Sequence, residues 1–273
     1  MIKEILMNVR NNGPLVHNIT NYVTVNDCAN ILLAVGGAPI MADDMAEVEE
    51  ITSICGGLNI NIGTLNQRTI KSMYLAGLKS NELGHPVLLD PVGAGASKLR
   101  TETAKGLIEE IDFTVIRGNI SEIKTLAIGQ GETRGVDASE LDVVTDDNID
   151  SAIAFAKEFS KKTGAIIAIT GAIDIIAYED EAYIIKNGSP KMSKVTGTGC
   201  MLSALTTAFV VANKEEKFKA VACATMMMGL AGELAFNKLK ADEGNSTYRN
   251  YLIDAIEYMT IEQLENGAKY EIR

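Results

Sequence analysis

The chain has 273 residues, of which 47 % are hydrophobic but only 5 % aromatic and none Trp, so it can bury a sizeable core and that core must be aliphatic. A formal charge of -11, with no Lys/Arg run longer than Lys161-Lys162, excludes the clustered basic patch that a nucleic acid or an anionic membrane requires. The four cysteines, Cys28, Cys55, Cys200 and Cys223, show no C-x-x-C spacing, which argues against a disulfide framework or structural zinc and leaves a small molecule as the expected partner.

The first residues, Met1 to Leu6, lack the basic segment, apolar core and cleavage site of a signal peptide, and the expected location is the cytoplasm. His17-Asn18-Ile19-Thr20-Asn21 stands before a helix expected to run to about residue 33, with Thr20 or Asn21 as its cap and His17 as a structural residue. Short aliphatic runs then alternate with amphipathic segments: 58–62 before 67–78, 86–89 before 101–111, and 113–116 before 120–127. That alternation predicts βα units on a mostly parallel sheet buried on both faces.

A polar stretch at 138–147 precedes an amphipathic helix at about 149–162 and a strand at 165–170. Residues 175–178 and 182–185, separated by Glu179-Asp180-Glu181, read as an antiparallel hairpin at the sheet edge. The last third reads as helical. Its most apolar stretches, 200–212 and 220–230, are each shorter than the roughly 20 residues of a bilayer span and read as core helices. With no linker, repeat or low-complexity segment, residues 1–273 form a single expected α/β domain.

In open α/β sheets ligands gather beyond the carboxyl ends of the strands. The residues that end the aliphatic runs, Met41, Asn61, Asp90, Arg117, Asn119 and Thr170, are therefore expected on one edge together with the turn Val195-Thr196-Gly197-Thr198-Gly199-Cys200. That turn opens the apolar run 201–212, so its backbone N–H groups and the helix dipole suit a phosphate, although it also reads as an ordinary N-cap with Thr198 as the capping residue. Gly197 and Gly199 allow close approach of a ligand, and Cys200 sits in the first turn, where a thiolate is stabilised. Asp90 and Glu122 are the carboxylates suited to Mg²⁺, Glu122 reading equally as a first-turn helix charge and Asp90 as a strand-end turn residue. Arg117 offers a planar fork to phosphates, and Thr170 a hydroxyl. Met41, with Asn21 and Val23 from the first helix, offers thioether and aliphatic surface suited to a flat heteroaromatic ring, or else simply fills the core.

Taken together, Val16-His17-Asn18-Ile19-Thr20-Asn21, Ala38-Pro39-Ile40-Met41, Asn61-Ile62-Gly63-Thr64, Leu89-Asp90-Pro91-Val92, Ile116-Arg117-Gly118-Asn119 with Ser121-Glu122, Ile169-Thr170-Gly171 and the Gly197 to Cys200 turn resemble the hydroxyethylthiazole kinases of the ribokinase-like superfamily. The resemblance spans about residues 16–250. It implies a three-layer ribokinase-like fold, ATP and Mg²⁺, and phosphorylation of a thiazole alcohol in thiamine salvage. It also implies a homotrimer with pockets at subunit interfaces. By the same resemblance Arg117 and Thr170 bind ATP, joined by Asn119, while Met41 and Gly197 touch substrate. Cys200 replaces the Asp that most ribokinase-like kinases use to activate the acceptor alcohol, and takes a weaker form of that part through a thiolate or a polarised S–H. Kinases of hydroxymethylpyrimidine or pyridoxal and a hydrate dehydratase on the same fold are the enzymatic alternatives; these keep the Asp. A nucleotide- or thiazole-binding protein without turnover is the non-catalytic one.

Overall fold

The structure, a computed structural model, describes residues 1–127 and 143–273. The expected residues 138–142 of the polar stretch lie outside those described.

The chain opens with α1 (Ile2–Asn12), which ends at Gly13 in the left-handed conformation. Next come β1 (Leu15–Ile19), α2 (Val25–Val35), β2 (Ala38–Met41), α3 (Val48–Ile54), β3 (Gly57–Asn61) and α4 (Gln67–Glu82). They are followed by β4 (Val87–Asp90), α5 (Lys98–Glu110), β5 (Val115–Gly118), α6 (Ile120–Ala127), α7 (Ile149–Thr163) and β6 (Ile166–Ile169). The rest comprises β7 (Asp174–Tyr178), β8 (Glu181–Ile185), a 3-10 turn (Pro190–Lys194), α8 (Thr198–Ala212), α9 (Lys217–Lys238), α10 (Asn245–Tyr258), α11 (Ile261–Gly267) and β9 (Tyr270–Ile272).

These strands make one nine-stranded sheet in the order β2-β1-β3-β4-β5-β6-β7-β8-β9. Pairing is parallel from β2 to β6 and antiparallel from β6 to β9. Strand β6 is buried on both faces: Ile166 and Ala168 join one apolar core, while Ile167 and Ile169 join the other. Successive side chains point to opposite faces, and both faces are covered by helices, so the run has no polar positions. The architecture is the three-layer, ribokinase-like α/β arrangement expected of the sequence.

Four expectations need correction. The hairpin β7–β8 is interior, because β9, a three-residue strand placed in the expected helical third, pairs with β8 and takes the edge. Asn21 and Val23 belong to the turn before α2, the helix expected to run to about residue 33, and its N-cap is Thr24, not Thr20 or Asn21. Helix α8 is capped by Gly197 at φ 91°, and Thr198, expected as the cap, is already its first helical residue. Helix α9 has 22 residues, longer than its apolar stretch suggests and long enough for a bilayer, but its most apolar window is 78 % buried within the fold.

Topology places the site. From β1 the chain turns to β2 on one side, whereas β3 leads to β4 on the other, so the order reverses between β1 and β3. At such a switch point the flanking connections diverge and leave a crevice beyond the strand ends. Asn21 follows β1 there, and Asn61 ends β3.

Candidate active site

The parallel register aligns the ends of the strands: Asn61 pairs with Asp90, and Arg117 with Ala168 next to Gly118 and Ile169. Helix α8 packs across β1, β3 and β4, which brings its first turn over those ends. The first helical N–H with a carbonyl inside the helix is that of Met201, onto Gly197 O at 2.8 Å. The preceding amides of Thr198, Gly199 and Cys200 therefore remain available at the positive end of the dipole. Thr198 spends its hydroxyl on Met192 O at 3.4 Å.

Arg117 lies against this turn. A Cβ built on Gly199 would stand 2.8 Å from Arg117 Nη1. The guanidinium donates from Nη2 to Thr170 Oγ1 at 2.6 Å, approaches Asp90 Oδ2 with Nη1 at 3.6 Å, and leaves buried Nε without a partner.

Asp90 is wholly buried. Its Oδ2 accepts from Ser203 Oγ at 2.7 Å and Asn61 Nδ2 at 2.8 Å, while Oδ1 has no partner. Burial pushes the carboxyl up from the usual carboxylate range and nearby Glu122 adds to that, against the pull of Arg117, Ser203 and Asn61. Glu122 is held firmly: Oε1 accepts from Gly93 N at 2.8 Å, and Oε2 from Asn119 N at 2.8 Å. Asn119 Oδ1 in turn accepts from Glu122 N at 2.9 Å, so the pair forms a reciprocal cap on α6.

Cys200 is buried, and its sulfur receives Asn21 Nδ2 at 3.2 Å and Asn61 Nδ2 at 3.3 Å. Burial, with a further push from Asp90, raises this thiol above the ordinary cysteine value. Burial thus works against the stabilised thiolate expected at the first turn of α8 and favours the protonated thiol.

Two cavities meet here. A cleft of about 340 Å³ is lined by Asn21, Val23, Gly63, Asp90, Glu122 and Cys200, among others. A second of about 470 Å³ runs from the anion turn past Asp174, Asn187, Met192, Thr225 and Gly229. Arg117, Thr170 and Gly199 line both. Val23 is 58 % exposed at the mouth of the smaller cleft. Asn119 lines the smaller cleft and not the larger one. Met41, half-buried at the end of edge strand β2, lines neither. His17 is structural as expected: its ring bonds Thr52 Oγ1 at 3.0 Å and Ala42 O at 2.8 Å, and burial keeps it neutral.

The larger cavity holds residues that the sequence did not single out. Asp174 begins β7 and accepts Gly171 N at 2.9 Å; burial raises its carboxyl to about 7. Gly229 in the middle of α9 leaves room for Asn187, whose Cβ would lie 2.7 Å from a Cβ at 229. The Asp three residues after Gly171 was the one available signal for this wall.

Comparison with known proteins agrees with this geometry. The hydroxyethylthiazole kinase family model matches residues 6–262. A hydroxyethylthiazole kinase of Clostridium acetobutylicum is 64 % identical over 271 residues, covering 99 % of both chains. The structure of a Pyrococcus horikoshii hydroxyethylthiazole kinase superposes with a TM-score of 0.88 at 34 % identity, covering 100 % of this chain and 98 % of that one. A Staphylococcus aureus pyridoxal kinase solved with AMP-PCP and pyridoxal shares the fold, with a TM-score of 0.61 at 16 % identity. An aligned set of strand ends around one anion turn, in a chain matched almost throughout by that family, leads to one assignment: this chain belongs to the hydroxyethylthiazole kinase family.

Proposed function

We propose that the chain transfers the γ-phosphoryl group of ATP to the primary alcohol of 4-methyl-5-(2-hydroxyethyl)thiazole, giving the thiazole phosphate and ADP in thiamine salvage. One observation carries the reading at the level of the site: two cavities share a wall made of Arg117, Thr170 and Gly199. A donor nucleotide in the larger and an acceptor alcohol in the smaller would meet at the amides of α8.

Phosphoryl transfer asks mainly for positioning and for charge stabilisation of the group in flight. The free amides of Thr198, Gly199 and Cys200 and the guanidinium of Arg117 supply donors to its oxygens. Thr170 fixes the guanidinium plane. As the alcohol oxygen bonds to phosphorus, the bond from phosphorus to the β-phosphate oxygen breaks, the hydroxyl proton passes to an oxygen of the transferred phosphoryl group and from there to solvent, and ADP leaves through the larger cavity. In the small cleft Val23 and Val92 offer apolar surface to a compact ring, beside the polar groups Asp90, Arg117 and Glu122 that would face the phosphates and the ion.

Mg²⁺ fits the donor set. The unpartnered Oδ1 of buried Asp90 is an acceptor awaiting a ligand, and Glu122 lies near enough to raise the Asp90 carboxyl. Both Glu122 oxygens already hold backbone amides, so Glu122 would act through water. When bound, the ion neutralises charge on the phosphates. Among the described residues no cluster of three or more His, Cys, Asp or Glu forms a metal site by itself.

The reading extends to a homotrimer in which a second copy closes the smaller cleft, supported by Tyr22 at 79 % and Val23 at 58 % exposure beside it and by Met41 standing outside it. The test is ADP formation from ATP and Mg²⁺ with the thiazole alcohol, hydroxymethylpyrimidine and pyridoxal side by side. Turnover confined to the thiazole supports the proposal. Turnover on another alcohol keeps a kinase and discards the substrate, and none on any of the three leaves a binding protein.

A further inference from the structure

Asn61 ends β3 with its side chain wholly buried, and each of its polar atoms is engaged. Oδ1 accepts from Asn21 Nδ2 at 2.9 Å and from Gly63 N at 2.9 Å. Nδ2 donates to Asp90 Oδ2 at 2.8 Å and to Cys200 Sγ at 3.3 Å. An amide nitrogen carries two hydrogens, so these two bonds use both. Asn21 Nδ2 is spent in the same way, on Asn61 Oδ1 and on Cys200 Sγ at 3.2 Å. Thr24 directs its hydroxyl hydrogen to Asn21 Oδ1 at 3.1 Å, which fixes the orientation of the second amide.

We propose that Asn61 is a positioning residue for the transfer: one amide holds Asp90 Oδ2 and Cys200 Sγ at a set separation and, with Asn21, occupies the acceptor side of the sulfur, so that Cys200 meets its substrate as an S–H donor. The proposal rests on the kinase reading above and deepens it.

The chemistry follows from hydrogen count. A neutral thiol has a single hydrogen to give and lone pairs to receive. With two N–H groups already pointing at the sulfur, its own hydrogen turns away from both amides, toward the side of the cleft where Thr24 Oγ1 can hold it until a substrate oxygen arrives. From there it can donate to an oxygen gaining negative charge. Its lone pairs being engaged, it is a poor place to deposit the alcohol's proton. This separates Cys200 from the Asp that most ribokinase-like kinases keep at that point in the turn, since an ionised carboxylate only accepts. The arrangement also explains why a polar side chain is buried at the end of a strand: replacing Asn61 by an apolar residue would leave Asp90 and the sulfur each one donor short.

The test uses Asn61→Asp, which keeps the oxygen for Gly63 and Asn21 but removes the two donors, and Asn61→Ser as a second variant should the first fail to fold, with thermal melting as the check. Two measurements are made. In substrate-free protein, the S–H stretching band of Cys200 is read by Raman spectroscopy and assigned by its loss in Cys200→Ala; it is expected to shift when Asn61 changes. In turnover, kcat is expected to fall about tenfold or more while the KM for ATP stays within about twofold, and the loss is expected to shrink when Cys200→Ala is already present. An unmoved band, or the same loss of kcat with and without Cys200, overturns the proposal. Because the band is read without substrate, it tests Asn61 even if wild-type turnover rejects the kinase reading.

Discussion

The hydroxyl of Thr170 and the guanidinium of Arg117 stand 2.6 Å apart across the β5–β6 pair, with Nη2 as donor. The same hydroxyl donates on to Gly118 O at 3.4 Å, so the arginine is braced by the strand that carries it. Replacing Thr170 by Val keeps the shape and removes the brace. The expected result is a rise of about tenfold in the KM for ATP, the scale of one hydrogen bond to a charged group, with the melting temperature little changed. Steady-state kinetics at fixed alcohol concentration check it.

Gly199 is needed for room, and Gly197 for conformation. A methyl at 199 would meet Arg117 Nη1 at 2.8 Å, whereas position 197 has φ 91° and its Cβ would meet Thr24 Cγ2 at 2.7 Å. Gly199→Ala should therefore fold well, helped by the helix preference of Ala, but lose kcat and ATP affinity together as the guanidinium is displaced. Gly197→Ala should cost stability as well, about 1 kcal/mol or more for a strained left-handed residue. Melting curves beside kinetics separate the two cases.

Asp90→Asn removes a buried, unpartnered acceptor from the smaller cleft. We expect kcat to fall by about a hundredfold or more, comparable to deleting a group that stabilises the transition state. The additional thermal stabilisation that Mg²⁺ gives in the presence of ADP should also shrink, which differential scanning fluorimetry reads directly.

Asp174 sets a pH dependence of stability. Its carboxyl titrates at about 7 in the fold against 3.8 for the free side chain, so between those values the folded state holds a proton that the unfolded chain has lost. Stability contributed by this group is present at low pH, declines as pH rises through that window, and is absent above about 7. Asp174→Asn keeps an oxygen for Gly171 N and cannot ionise. Between pH 5 and pH 8 the variant should lose less melting temperature than the wild type, and matching slopes would remove Asp174 as the cause.

The parts of this site that could be read in the sequence lie at the ends of aliphatic runs. Asp90, Arg117 and Thr170 follow such runs directly, and a parallel sheet brings those ends together whatever the loops do. The clamp on Cys200 was harder to foresee, because Asn21 and Asn61 meet the sulfur across 179 and 139 positions, and only because β1 and β3 are neighbours at the switch point. Apolar periodicity does not report which strands adjoin. The larger cavity was missed for another reason. Its wall uses the interior of α9, where Gly229 and Thr225 look like ordinary members of a buried helix until Asn187 is set against them. β9 escaped because three residues are too few to show a period of two.

Helix α8 begins as the anion turn and continues from Met201 to Val210 as buried core. The amides of the turn thus inherit their aim from the innermost packing of the molecule and not from a surface loop. Warming the protein should consequently leave the turn in register until that core gives way. Loss of turnover during a heat challenge should coincide with loss of the helical signal, and fractional activity after partial melting should report the fraction of molecules still folded.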